Sequence, residues 1–184
     1  MKSIDELKSE HRGIESMLEI LKTLSAKIGR EEKVLEGDLD GLLEFFKVFV
    51  DRCHHGKEED FLFPALEAVG VLREGGPIGV MLAEHQQGRA LVAKLEDARA
   101  LIRAGGSKGR SLLQETAGRY DVLLRNHINK EENLLFAMAE ARLGPSEDED
   151  LHEAFGRLER ERIGSGKHQA FHDLMEQLHK RHQA

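Results

Sequence analysis

Six residues of metal-ligand type recur at matched places along the chain: His11, His54 with Glu58, His85, and His127 with Glu131. Imidazole nitrogen and carboxylate oxygen both suit a transition-metal ion, and His-x-x-x-Glu puts the two on one helix face, a turn apart. The pattern repeats. Lys57-Glu58-Glu59-Asp60-Phe61-Leu62-Phe63 corresponds to Lys130-Glu131-Glu132-Asn133-Leu134-Leu135-Phe136 at an offset of 73, and the same offset carries His54 to His127. Glu10-His11 corresponds to Glu84-His85 at an offset of 74. The chain thus reads as two copies of a helical hairpin, each supplying a His from its first helix and His-x-x-x-Glu from its second. The counterpart of His55 is Ile128, which makes His54 the better ligand candidate of that adjacent pair.

Four helical segments must position these groups, because strand signals are weak and apolar residues recur with helical period. The first opens on Ser3 and Glu6 at capping-box spacing and carries Ile4, Leu7, Ile14, Leu18, Leu21 and Ile28 to Gly29. The second starts near Asp38 and runs to Gly70, with Pro64 expected to kink or loosen it. The third starts at Pro77 and ends at Gly105-Gly106. The fourth starts near Ser111 and stops at Gly144-Pro145. Short polar connections make neighbours antiparallel, so the expected fold is all-α, an up-down-up-down four-helix bundle over residues 1–144. Residues 145–184 form a helical extension packed on or over it. The extension holds an acidic-start helix through Phe155 and Leu158, a break at Gly164-Ser165-Gly166, and a last helix from about Lys167.

At about 100° per residue all six candidate ligands fall on the apolar stripes and aim at the bundle axis. His55 points to one side, and Glu59, Glu84 and Glu132 read as solvated. One His on an apolar face is usually a satisfied core residue, and one His-x-x-x-Glu pair is an ordinary helix ion pair. Six such groups on four core stripes are different, since two buried carboxylates without cations would cost several kcal/mol each. Four imidazoles and two carboxylates exceed one tetrahedral zinc site and divide into two metal ions with carboxylates between them. Nitrogen and oxygen donors without thiolate suit iron or manganese, with zinc as a substitute. Ferritin-like bundles use Glu with Glu-x-x-His, the reverse order.

The set His11, Cys53-His54-His55-Gly56-Lys57-Glu58-Glu59 with Leu62-Phe63-Pro64, Glu84-His85 and His127-Ile128-Asn129-Lys130-Glu131-Glu132 resembles the hemerythrin family, whose bacterial form is called the HHE cation-binding domain. The resemblance implies a four-helix bundle with a non-haem di-iron centre, two irons joined by oxo or hydroxo and carboxylate bridges, that binds or senses O2, NO, iron or redox state. His11, His54, His85 and His127 become imidazole ligands, and Glu58 and Glu131 bridging carboxylates. Oxygen-carrying members place another His one turn after the third-helix His, where this chain has Arg89. Water, His55, His168 or His172 would complete the site, the last two if the final helix folds back over the bundle end.

Tyr120 lies on the stripe of His127, to hydrogen-bond a ligand or simply pack. Cys53 reads as a core-edge cysteine, with a low-pKa redox thiol, favoured by Arg52 and a nearby dication, as the alternative. His152 reads as a surface residue. The net charge of −7 over 184 residues argues against nucleic acid or an anionic membrane as partner. No apolar run is long enough to span a bilayer, and the first residues lack a signal-peptide core. A lone cysteine fits a reducing cytoplasm. Three functions remain: a binding or sensing protein for a small diatomic ligand, signalling to a protein partner through the tail; a di-iron redox enzyme, peroxidase-like or repairing iron centres; and an interaction protein with a structural metal.

Overall fold

A computed structural model of the chain describes residues 1–164 and 166–182, with the side chain of His168 outside that description. The described residues are all-α, without a strand. Helix α1 is Lys2–Gly29 and α2 runs through residues 36–68. Helix α3 is Pro77–Arg103, α4 covers residues 107–142, α5 residues 145–163, and α6 is Lys167–His182. Helices α2 and α4 start a few residues before the positions that periodicity suggests, each from an extended residue, Leu35 and Gly106.

Helix α4 lies along α3 and α1, and α2 touches both α1 and α3. The α3–α4 turn is tight. Gly105 has φ +79°, and a Cβ at Gly109 would sit 2.7 Å from the Ile102 nitrogen, so that position accepts only glycine without backbone movement. The start of α1 departs from the expected capping box. Ser3 is buried, and its hydroxyl and backbone N–H both donate to Asp148 of α5, at 2.6 and 3.0 Å. Glu6 faces Lys57 and His152 instead.

Three stretches of α2 and α4 widen into π-helix: Phe45–His55, Glu58–Leu62 and Glu131–Leu135. Bonding from i to i+5 turns the chain less per residue, so adjacent side chains fall closer together on the circumference. Pro64 lies two residues past the end of the second π stretch, and the loosened turn before it accommodates its ring.

The extension packs closely. Phe155 and Leu151 of α5 are buried against Ile4, Leu7 and Phe63. Phe171 of α6 stands edge-on to Phe45 and Phe49, and Leu178 is buried beside it. Fully burying such side chains contributes about 1.5–3 kcal/mol each. The last turn of α6 is tied down at buried Asp38 by Arg181 and by His182 at 2.8 Å.

Apolar residues gather into two clusters, one around Leu18, Phe46 and Leu95, the other around Leu7, Phe63 and Phe136. The six candidate ligands of the repeat fall in the gap between them. His11 separates Leu7 from Ile14, His54 and Glu58 separate Val50 from Leu62, His85 separates Met81 from Leu91, and His127 and Glu131 separate Leu124 from Leu135.

Candidate metal centre

The four helices bring seven ligand-type side chains into that gap, each 3% exposed or less. They form two groups, His11, His54, Glu58 and Glu131 in one, and His55, Glu58, His85 and His127 in the other, with the donor atoms of each group within 4.8 Å of one another. Glu58 belongs to both. Glu131 also reaches both sides, its Oε2 lying 3.2 Å from His11 Nε2 and its Oε1 3.1 Å from His127 Nε2. Glu58 spans His54 Nε2 at 3.7 Å and His85 Nε2 at 3.5 Å with its two oxygens.

Each of four imidazoles is held from behind by a glutamate on another helix. His54 Nδ1–H donates to Glu10 at 2.8 Å, and His127 Nδ1–H to Glu84 at 3.0 Å. His85 Nδ1–H donates to Glu59 at 2.7 Å, and His11 Nδ1–H to Glu132 at 3.0 Å. Carboxylates only accept, so the proton sits on Nδ1 and each Nε2 turns toward the gap. The arrangement keeps the symmetry of the repeat: the Glu before each lone His holds the His of a pair, and the Glu after each paired Glu holds a lone His. This corrects the reading of Glu59, Glu84 and Glu132 as solvated. Their Cα positions do face outward, but their long side chains reach across helix boundaries. Phe63 and Phe136, also related by the repeat, stack on His85 and His11.

His55 is a second correction. A uniform α-helix would turn it aside from His54. The π stretch that ends at His55 brings both inward, and the His55 ring stacks on His85 with centroids 3.8 Å apart. Arg89, where oxygen carriers have a His, instead pairs with Asp51 at 2.6 Å and Glu59 at 2.7 Å, so it braces the carboxylate that orients His85. His172 lies exposed on α6 and belongs to neither ligand group; the side chain of His168 lies outside the described residues.

The donor set fits metal ions. Both oxygens of Glu58, both of Glu131 and Nε2 of His11 are buried and lack a hydrogen-bonding partner. Native proteins rarely leave such atoms unsatisfied. The Nε2 atoms of His85 and His127 face each other at 3.1 Å, which two lone pairs tolerate only with a proton or cation between or beside them. Metal-free, the cluster holds protons. Burial, reinforced by Glu131, pushes the Glu58 carboxyl well above the usual carboxylate range. Burial opposes a charge on His127, yet Glu131 and Glu84 outweigh it and raise His127 to about 9. Burial lowers His54 to about 4 despite Glu10. Metal ions would displace the protons on Glu58 and His127.

Beside the centre, Lys57 is fully buried, its Nζ 2.5 Å from Glu10, 2.6 Å from Glu6 and 2.6 Å from Glu159, and 5.6 Å from the Phe155 ring. Its repeat counterpart Lys130 is 38% exposed, and a lysine flanked by Gly56 and Glu58 reads as an exposed helix residue, so no spacing marked its burial. Tyr120 packs edge-on against Phe46 at 5.0 Å. His152 is surface-exposed, as expected, and donates to Glu6. Cys53 is buried and burial pushes its thiol up to about 12, which leaves no thiolate near neutral pH. Native protein at pH 7 is expected to leave Cys53 unmodified by iodoacetamide while urea-unfolded protein reacts fully; rapid alkylation of the native form would restore the redox-thiol reading.

The chain is 23% identical over 176 residues to the uncharacterized proteins Rv1995 of Mycobacterium tuberculosis and Mb2018 of Mycobacterium bovis, covering 96% of this chain and 68% of each relative. No solved structure matches it. Residues 2–139 match the family described as the hemerythrin HHE cation binding domain. That span contains both halves of the repeat and every residue of the two ligand groups, and the chain belongs to this hemerythrin family of cation-binding domains.

Proposed function

We propose that this protein holds a non-haem di-iron centre in an up-down-up-down four-helix bundle, residues 1–144, and binds or senses O2, NO or cellular redox state there. Residues 145–184 form the helical extension. His11 and His54 would hold one iron and His55, His85 and His127 the other, with Glu58 and Glu131 shared between them. The observation that carries the reading is the set of buried, unpartnered carboxylate oxygens facing the imidazole nitrogens of His11, His54, His85 and His127, whose outer N–H groups are each committed to a glutamate. When bound, two irons would supply positions for a diatomic ligand and one-electron exchange. The chain's own part is to orient five imidazoles, exclude water between two apolar clusters, and bury the two bridging carboxylates where a cation favours their ionised form. Manganese or zinc would fill the same donors, since occupancy follows availability as well as chemistry.

Unequal imidazole counts on the two sides favour ligand binding at the poorer side, and an open position there also serves a di-iron redox enzyme of peroxidase type. Protein purified without oxygen is expected to contain about two irons per chain, following the two ligand groups. On admission of air, charge-transfer absorption should appear. Reversal under vacuum supports binding of O2, irreversible oxidation supports sensing, and steady turnover of peroxide supports the enzyme. Metal-free protein as isolated, with an intact helical fold, would overturn the metal reading.

A further inference from the structure

Three of the four glutamates that steady the imidazoles carry a cation on their outer side. Lys57 donates to Glu10 at 2.5 Å, Arg89 to Glu59 at 2.7 Å, and Lys130 to Glu84. Lys57 and Lys130 are counterparts in the repeat, as are Glu10 and Glu84, so two of these chains of cation, carboxylate and imidazole keep its symmetry. Arg89 breaks it. Its counterpart at an offset of 74 is Glu15, an anion, which pairs with Arg125. Glu132, the counterpart of Glu59, is left without a cap: among the described residues it bonds to His11 and to no lysine or arginine.

We propose that Lys57, Arg89 and Lys130 are positioning residues that act through these glutamates to set the reduction potential of the centre, holding it toward the ferrous form. The inference rests on the metal reading. Two effects act in the same direction. A fixed positive charge near the centre disfavours the extra charge of a ferric ion, and does so most where water is excluded. A cation on the outer carboxylate also weakens its pull on the Nδ1 proton, so the imidazole is less basic and gives less electron density through Nε2. Glu132 pulls on His11 unopposed and works against the three caps.

Anaerobic titration of the iron-loaded full chain with redox mediators tests this. Arg89 and Lys130 are partly exposed, so the fold tolerates their replacement. Lys130→Met and Arg89→Met are each expected to shift the equilibrium with a mediator toward the ferric form by about tenfold, a fall of about 59 mV for one electron. Lys130→Arg and Arg89→Lys should keep the wild-type potential, because they keep the charge. Glu132→Gln should raise it. Wild-type potentials in both methionine variants would overturn the proposal, and so would an equal fall in the charge-conserving variants, which would mark lost packing. If the wild-type chain retains no iron, the metal reading fails by itself, and the caps are then read without metal. In metal-free protein the proton resonance of His127 Nδ1–H should move downfield in Lys130→Met and stay in place in Lys130→Arg. An unmoved resonance in Lys130→Met would overturn the effect of the caps.

Discussion

Glu58→Gln is expected to make the metal-free protein more stable and the metal centre much weaker. Glu58 is fully buried, both its oxygens lack hydrogen-bonding partners, and burial beside Glu131 pushes its pKa well above the usual carboxylate range. A carboxyl with a raised folded-state value favours folding fully below its unfolded value of about 4.3 and loses that advantage as pH rises toward the folded value. Metal-free wild-type protein therefore loses stability from about pH 4.3 upward through this group. The amide has the same shape and no charge to bury, and should recover about 1–3 kcal/mol near neutral pH. The same change removes a charged oxygen donor common to both ligand groups. Loss of an outer partner alone costs roughly 10–100-fold in metal affinity, and loss of a shared ligand should exceed that. Denaturant unfolding of metal-free protein between pH 5 and 8, with metal content after reconstitution, tests both halves. A variant that retains two ions at wild-type affinity, or one that gains no stability without them, would show that Glu58 is an ordinary core residue.

The second large effect lies at Lys57. Its ammonium is fully buried among Glu6, Glu10 and Glu159, and Glu10 in turn orients His54. Burial would push Glu10 up, but His54 and Lys57 together hold it at about 2. In metal-free protein the stability gained by this group is present above the unfolded carboxylate value and is lost as pH falls toward 2. Lys57→Met keeps the length of the stem and strands three carboxylates, one of them buried. Breaking a buried ion pair in this way typically costs about 3–5 kcal/mol. Because Glu159 and Phe155 belong to α5, amide exchange in residues 145–163 should accelerate more than exchange in α3, which Lys57 does not touch. Combining Lys57→Met with Glu10→Gln should return part of the loss by removing the stranded charge. Equal acceleration across all helices would mean that Lys57 supports the fold as a whole and does not tether the extension.

The helices were legible because their apolar stripes keep helical period over long spans, and Pro77 and Gly105 mark ends by backbone chemistry that any fold must respect. Six of the seven ligand-type residues were legible for a related reason. An internal repeat makes the chain its own comparison, so that a His or Glu present in both halves stands out from decoration. That same logic set His55 aside, since Ile128 occupies its place in the second half. The two halves differ there because α2 carries a long π stretch up to His55 that α4 lacks before His127.

The chain by itself thus determined donor types, their division between two hairpins, and the need for cations among buried carboxylates. These follow from side-chain chemistry and helical spacing, both local. Tertiary structure decided which glutamate steadies which imidazole, because each of those hydrogen bonds crosses from one helix to another. It also decided the width of the turns that aim His54 and His55, since a π turn forms where packing and ligand geometry offset its poorer backbone bonding. Burial of Lys57 belongs to the same class: an ammonium enters a core only where three carboxylates from distant parts of the chain converge on it, and no spacing along one helix announces that.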